Sequence, residues 1–124
     1  MKPTLLIVED DEELQELYAM MLEAVDCEIV LANDGAEALD RLDVVDPQVV
    51  ILDILLHGMM GDEFFRALRR DPRHRQTPVV VVSVLSQDRC EEVLDIDAWT
   101  VFLRKPFRKQ QLVEAIDRGL DIKR

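Results

Sequence analysis

Polar residues that could act together follow four separate apolar runs of this chain. They are Glu9, Asp10 and Asp11 after the first run, Asp53 at the end of the third, Ser83 after the fourth and Lys105 after the fifth. Three or four carboxylates in one place repel each other, and some take up protons unless a cation compensates. Mg²⁺ fits this role because it needs only one or two protein carboxylates and keeps several waters.

In that setting Asp53 becomes a candidate nucleophile toward phosphorus, which would give an aspartyl phosphate. Lys105 would supply a positive charge for the phosphoryl oxygens, and Ser83 a hydroxyl donor. The alternative is that Asp53 only caps a turn, because a loop with Gly58 and Gly61 follows it. The polar residues at the ends of the other apolar runs favour the interpretation of Asp53 as a nucleophile.

The elements that must position these residues are five short apolar runs alternating with longer amphipathic segments. The runs cover residues 5–8, 29–31, 49–52, 79–82 and 101–103 and predict five strands. A (βα)5 chain of this length implies a parallel sheet covered on both faces by helices. Because the carboxyl ends of parallel strands share one edge, where α/β proteins bind ligands, we expect the polar residues to converge there.

Capping signals and helical periodicity predict the helices. The first presents one apolar face, formed by Leu14, Leu17, Tyr18, Met21, Leu22 and Val25. Asn33, Asp34 and Gly35 signal the start of the second, Asp62 and Glu63 lie in the first turn of the third, and Ser86 or Asp88 caps a fourth from about residue 88 to 94. The fifth helix begins after Pro106.

Composition excludes several classes of function. The net charge of −11 argues against direct binding to nucleic acid or to an anionic membrane. No apolar stretch approaches the roughly 20 residues of a membrane span, and the start carries no signal peptide, so the cytoplasm is expected. Cys27 and Cys90 lack motif spacing and are interpreted as buried structural thiols rather than as a disulfide or a metal site.

The chain resembles the receiver domain of two-component response regulators over essentially all of its 124 residues. The segments that carry the resemblance are 5–11, 32–39, 52–56 with Gly58 and Gly61, and Lys105-Pro106-Phe107, and the intervals between them match as well. The resemblance implies a flavodoxin-like, doubly wound sheet with strand order 2-1-3-4-5. It also implies that residues 1–124 form one receiver domain with no output domain in this chain.

The resemblance assigns roles at the site. Asp53 would be the phosphoacceptor for a histidine kinase or a phosphotransfer protein, assisted by Lys105. Asp10 and Asp53 would bind Mg²⁺ directly together with the backbone carbonyl of Leu55. Glu9 would act through water, and Asp11 would be a bystander.

The resemblance also implies a population shift as the mechanism of output. Phosphate would draw Ser83 inward, and Phe102 would move into the vacated space. The face formed by the fourth helix, fifth strand and fifth helix would then change its preference for a downstream output protein or domain, or for a second copy in a homodimer.

Several residues depart from the family pattern. Val84 stands where Ala or Gly usually lines the access to the phosphate, and Leu55 and Leu85 are apolar where polar side chains often position water. Slow self-dephosphorylation is the resulting hypothesis. His57 replaces a usual proline and is interpreted as an exposed loop substitution. Two further expectations are a solvated His74 and a partly buried Trp99, which is also the best candidate for a specific partner contact.

Two other functions stay open from the sequence. A pseudo-receiver would keep the fold and dock partners without phosphate. A Mg²⁺-dependent phosphatase would use the aspartyl nucleophile on a free substrate, but Leu55 cannot protonate a leaving group. The leading interpretation is a signalling switch that catalyses only its own phosphoryl transfer and hydrolysis, with no separate substrate.

Overall fold

The computed structural model describes residues 2–54 and 61–122, in which strands and helices alternate. The strands are β1 Thr4–Val8, β2 Glu28–Ala32, β3 Val49–Asp53, β4 Val79–Ser83 and β5 Thr100–Arg104. The helices are α1 Glu12–Met21, α2 Gly35–Leu42, α3 Gly61–Arg70, α4 Gln87–Val93 and α5 Lys109–Ile122. Each predicted run is therefore a strand, extended by one or two residues.

The five strands form one parallel sheet in the order β2-β1-β3-β4-β5, as predicted. β3 and β4 are buried along their whole length, which explains why their sequences are continuous apolar runs rather than alternating ones. None of the helices in the described part of the chain has the length and apolar character needed to cross a membrane.

Side chains that alternate along the strands build two cores, one on each face of the sheet. On one face, Leu5, Ile7 and Ile51 pack with residues of α1 and α5, including Tyr18 and Leu112. On the other face the strands pack with α2, α3 and α4, whose buried residues are Ala38, Leu42, Phe64, Phe65, Leu68 and Cys90. Cys27 and Cys90 are free thiols, Cys90 buried and Cys27 partly buried.

Three helices begin at side-chain caps, and those of α2 and α4 were expected from the sequence. The Asp11 side chain accepts hydrogen bonds from the N–H groups of Glu13 and Leu14 at the start of α1. Asp34 accepts one from Glu37 at the start of α2, and Ser86, rather than Asp88, caps α4. Asp11 thus has a structural role, although the family resemblance assigned it none.

The apolar face predicted for the first helix holds only in part. α1 ends at Met21, so Leu22 is its C-cap and Val25 lies beyond it. Tyr18 and Leu22 are buried, whereas Leu17 is 40% exposed. The face is narrower than the spacing predicted because α1 packs on the sheet along one stripe, with Leu17 at its margin.

The expectation that His74 is solvated is wrong. His74 is 1% exposed, and its Nδ1 lies 3.2 Å from Thr77 Oγ1, while the neighbouring Arg73 and Arg75 are exposed. Its backbone carbonyl accepts a hydrogen bond from Arg69, which also binds the Thr77 carbonyl and forms a two-bond ion pair with Asp97. This network fixes the connection from α3 to β4 and turns the imidazole inward.

Candidate functional site

The carboxyl edge of the sheet gathers the residues that the sequence singled out. Glu9 follows β1 directly, Asp53 is the last residue of β3, Ser83 is the last of β4, and Lys105 follows β5. Strand register aligns them, since Asp53 lies beside Val82 and Ser83 beside Arg104. Parallel topology therefore brings together groups that are far apart along the chain.

Lys105 connects the two buried carboxylates. Its Nζ donates a hydrogen bond to Asp53 Oδ2 at 2.6 Å and lies 3.7 Å from Glu9 Oε1. Its backbone N–H donates to the Ser83 carbonyl at 2.8 Å, which ties the end of β5 to the end of β4. The lysine is thereby held beside the Asp53 carboxylate.

Glu9 and Asp53 form an electrostatically costly pair. Glu9 is 1% exposed and Asp53 5% exposed. The pKa of Glu9 is raised to about 8, chiefly by burial and also by a hydrogen bond with Asp53 and the charge of that residue, against the opposing effects of the Asp11 N–H and Lys105. Lys105 thus offsets only part of the cost of ionising Glu9, and a bound cation would offset more.

The donor set suits a hard metal ion. Glu9 Oε1 is buried and accepts no hydrogen bond from any residue that the structure describes. Asp10, partly buried in the same turn, supplies another carboxylate. Within residues 2–54 and 61–122 no three His, Cys, Asp or Glu side chains form a group that could hold a metal ion by themselves. Leu55, whose backbone carbonyl was the third predicted ligand, lies outside the described residues, as does His57.

Gly61 allows α3 to start against the end of β3. A Cβ on this residue would lie 2.6 Å from Ile54 Cα and 2.8 Å from the Asp53 carbonyl oxygen, both backbone atoms. The Gly61 N–H donates to the Ile54 carbonyl at 3.2 Å. The glycine therefore fixes the backbone beside Asp53 through a close approach that a side chain would prevent.

Ser83 and Phe102 lie on the neighbouring strands β4 and β5, and their role as a switch stays a prediction. Ser83 is fully buried, and its hydroxyl accepts a hydrogen bond from the Leu85 N–H at 3.0 Å. It also hydrogen-bonds the Cys90 thiol of α4, whose pKa is raised by burial and lowered in part by this contact. Phe102 is partly buried and packs against the same core as Cys90.

The residues predicted to control access to the phosphate are only partly described. Val84 is 54% exposed, directly after Ser83. Leu85 is partly buried and packs against the core on the α3 and α4 face. The access role of Val84, Leu85 and Leu55 stays a prediction.

Gln15 is a site neighbour for which the sequence offered no clear signal. Its side-chain amide donates to the Glu9 carbonyl and, at 2.9 Å, to Asn33 Oδ1. Asn33 in turn donates to Glu37 on α2. This chain of bonds holds the turn after β1 to the turn after β2 and so fixes the backbone that carries Glu9.

Trp99 lies at the opposite edge of the sheet. It is partly buried, as expected, and helps to line a groove of about 420 Å³. The other lining residues are Phe65, Arg66, Arg69, Arg70, Arg75, Asp95 and Asp97. Its role as a partner contact stays a prediction.

The chain is similar in sequence to known proteins. Residues 5–117 match the family model described as "Response regulator receiver domain". The chain is 29% identical over 117 residues to the DNA-binding response regulator MtrA of Mycolicibacterium paratuberculosis, covering 94% of this chain and 50% of that protein. It thus spans about half the length of this relative.

Solved structures agree with the fold. Chemotaxis protein CheY4 of Vibrio cholerae superposes with a TM-score of 0.89 at 25% identity, covering 97% of this chain and 100% of that one. The receiver domain of the sensor histidine kinase PA1611 of Pseudomonas aeruginosa PAO1 superposes with a TM-score of 0.84 at 22% identity, covering 98% and 99%. That structure has a magnesium ion coordinated in its active-site cleft.

Proposed function

The chain belongs to the response regulator receiver domains of two-component systems, and from that premise we propose that it is a switch controlled by phosphorylation of Asp53. The observation that carries the proposal is the contact of Lys105 Nζ with Asp53 Oδ2 at 2.6 Å beside the buried Glu9. A lysine and a second acid around a strand-end aspartate are the groups that phosphoryl transfer to a carboxylate requires.

The reaction is a displacement at phosphorus. An Asp53 carboxylate oxygen forms the new O–P bond, and the bond from phosphorus to the donor's leaving atom breaks and keeps its electron pair with that atom. The leaving atom is an imidazole nitrogen in a phosphohistidine donor and an acyl oxygen in acetyl phosphate. Lys105 then neutralises part of the negative charge on the phosphoryl oxygens, and the Ser83 hydroxyl donates a hydrogen bond to one of them.

Asp10 and Asp53, with the Leu55 carbonyl, would hold Mg²⁺, and Glu9 would act through a bound water. The chemistry that this ion supplies when bound is neutralisation of charge between the carboxylates and the incoming phosphoryl group. The raised pKa of Glu9 supports this assignment, because burial and the neighbouring Asp53 make its ionised form costly and a bound cation would lower that cost.

We propose that the output is a shift in the α4-β5-α5 face. When Ser83 turns toward the phosphoryl group it leaves its contacts with Leu85 and Cys90, which frees space on the side where Phe102 packs. The partners would be a cytoplasmic histidine kinase or phosphotransfer protein and a downstream output protein or domain, and a homodimer through the same face is a further candidate.

We also propose that the phosphorylated form is long-lived. Val84 is exposed beside Ser83, where its branched side chain would hinder an attacking water. Val84→Ala is expected to shorten the half-life of the adduct severalfold, measured from the decay of its intact mass. A half-life of seconds in the wild-type protein would contradict the hypothesis.

The decisive experiment is incubation with Mg²⁺ and acetyl phosphate, followed by intact-mass measurement. Wild type should gain about 80 Da, the mass of a phosphoryl group, and Asp53→Asn should not. Asp46→Asn, an exposed aspartate before β3, is the matched control and should gain the same mass as wild type. No adduct with any donor would favour the pseudo-receiver, and consumption of the donor without an adduct would favour the phosphatase.

A further inference from the structure

Tyr18 has a buried hydroxyl. The side chain is 1% exposed, and its ring stacks on Phe107 with centroids 5.8 Å apart and an interplanar angle of 25°. Its Oη is buried and has no hydrogen-bond partner among the residues that the structure describes. Buried tyrosine hydroxyls are normally paired, so this atom requires an explanation beyond packing.

The direction of the side chain points to the acidic site. Tyr18 lies two turns after Asp11, the N-cap of α1, which corresponds to about 10 Å along the helix. Long helical side chains lean toward the helix N-terminus, and a tyrosine covers most of that distance. Tyr18 also packs in the same core as Leu5 and Ile7 of β1, the strand that leads into Glu9, so its hydroxyl lies on the side of the sheet to which Glu9 alternates.

Glu9 presents the complementary group. Its Oε1 is a buried acceptor with no hydrogen bond from the described residues, and Lys105 Nζ lies 3.7 Å from it. Burial raises the pKa of Tyr18, and the charges of Glu9 and Asp53 raise it further, so the hydroxyl is within electrostatic reach of both and stays a donor. A donor and an acceptor without partners thus occupy the same buried region.

We propose that Tyr18 is a positioning residue that donates a hydrogen bond, through one intervening water, to Glu9 and holds its carboxylate as an outer ligand of Mg²⁺. The bond gains importance when Lys105 turns from the carboxylates to the phosphoryl oxygens, because Glu9 Oε1 then loses its contact with the lysine. Partners of this outer kind typically affect metal affinity about 10- to 100-fold. The inference rests on the proposed function, since it assigns a residue to the same site.

The test uses the fact that the chain contains a single tyrosine. Protein labelled with ¹³C at tyrosine Cζ gives one NMR line, which reports on hydrogen bonding of that hydroxyl. We expect the line to shift on titration with Mg²⁺, and the shift to be lost in Glu9→Gln. Tyr18→Phe keeps the ring and its stack on Phe107, and it should weaken Mg²⁺ binding about tenfold by calorimetry.

Leu22→Ala is the matched control for a purely structural effect. Leu22 lies in the same core as Tyr18 and is 2% exposed, so the variant should lower the melting temperature and leave Mg²⁺ affinity unchanged. Unchanged Mg²⁺ affinity in Tyr18→Phe, or a tyrosine line that ignores Mg²⁺, would overturn the inference while an adduct on Asp53 still upheld the proposed function. Absence of both Mg²⁺ binding and the adduct in wild type would refute both.

Discussion

Glu9→Gln tests the electrostatics of the site most directly, because it removes a buried charge and keeps the shape of the side chain. Glu9 is 1% exposed, and its pKa is raised from 4.5 to about 8 by burial and by Asp53. Below pH 4.5 the carboxyl is protonated in both the folded and the unfolded chain. Between pH 4.5 and 8 the unfolded chain releases this proton and the folded chain keeps it, so stability must fall as the pH rises.

The size of this loss of stability follows from the shift in the pKa of Glu9. At 1.36 kcal/mol per pH unit the upper bound is about 5 kcal/mol, complete only above pH 8. Local relaxation and water penetration reduce such values, so we expect the wild type to lose at least about 2 kcal/mol more than Glu9→Gln between pH 5 and pH 8. The neutral amide has no proton to lose and can still hydrogen-bond Asp53.

The assay is urea unfolding at several pH values in the presence of EDTA, followed by circular dichroism. Glu16→Gln is the control, since Glu16 is exposed on α1 and the variant changes the net charge equally. Its stability should follow the wild-type dependence on pH. Parallel curves for wild type and Glu9→Gln would refute the reasoning, as would a failure of Mg²⁺ to stabilise wild type at pH 8 more than it stabilises Glu9→Gln.

Three other changes have defined outcomes. Gly61→Ala should lower stability by about 2 kcal/mol and slow adduct formation on Asp53, because the new Cβ would meet backbone atoms at 2.6 and 2.8 Å; urea unfolding and the mass assay measure both effects. Arg69→Ala should cost about 3 kcal/mol in urea unfolding, since Asp97 and two carbonyls lose their partner. Arg66→Ala on the same helix should cost less than about 1 kcal/mol, since Arg66 is exposed and pairs only with Asp62. Phe102→Ala should keep the adduct on Asp53 and abolish the phosphorylation dependence of partner binding; an unchanged dependence in pull-down experiments would remove Phe102 from the switch.

Most of the fold could be predicted because its signals are local. Continuous apolar runs such as residues 79–82 indicate burial on both faces, and Asp34 and Ser86 cap helices through bonds to residues three positions away. The contact of Lys105 with Asp53 followed from topology, since parallel strands must end at one edge.

The residues that could not be predicted depend on distant partners. His74 stands between two exposed arginines, and only its contact with Thr77 and the carbonyl bond to Arg69 show that it faces inward. Leu17 fits the helical period of α1 and is nevertheless exposed, because the period does not reveal how wide a stripe the sheet covers. Gln15 supports Glu9 through a backbone carbonyl, a contact that leaves no pattern in the sequence.

The carboxylates gathered at one end of the sheet have a consequence for encounter rates. In a chain of net charge −11, Glu9, Asp10 and Asp53 make the potential at this end negative. Small anionic donors such as acetyl phosphate approach against that field, so added salt should speed their reaction. A kinase with a basic surface around its phosphohistidine would instead be turned into the productive orientation before contact.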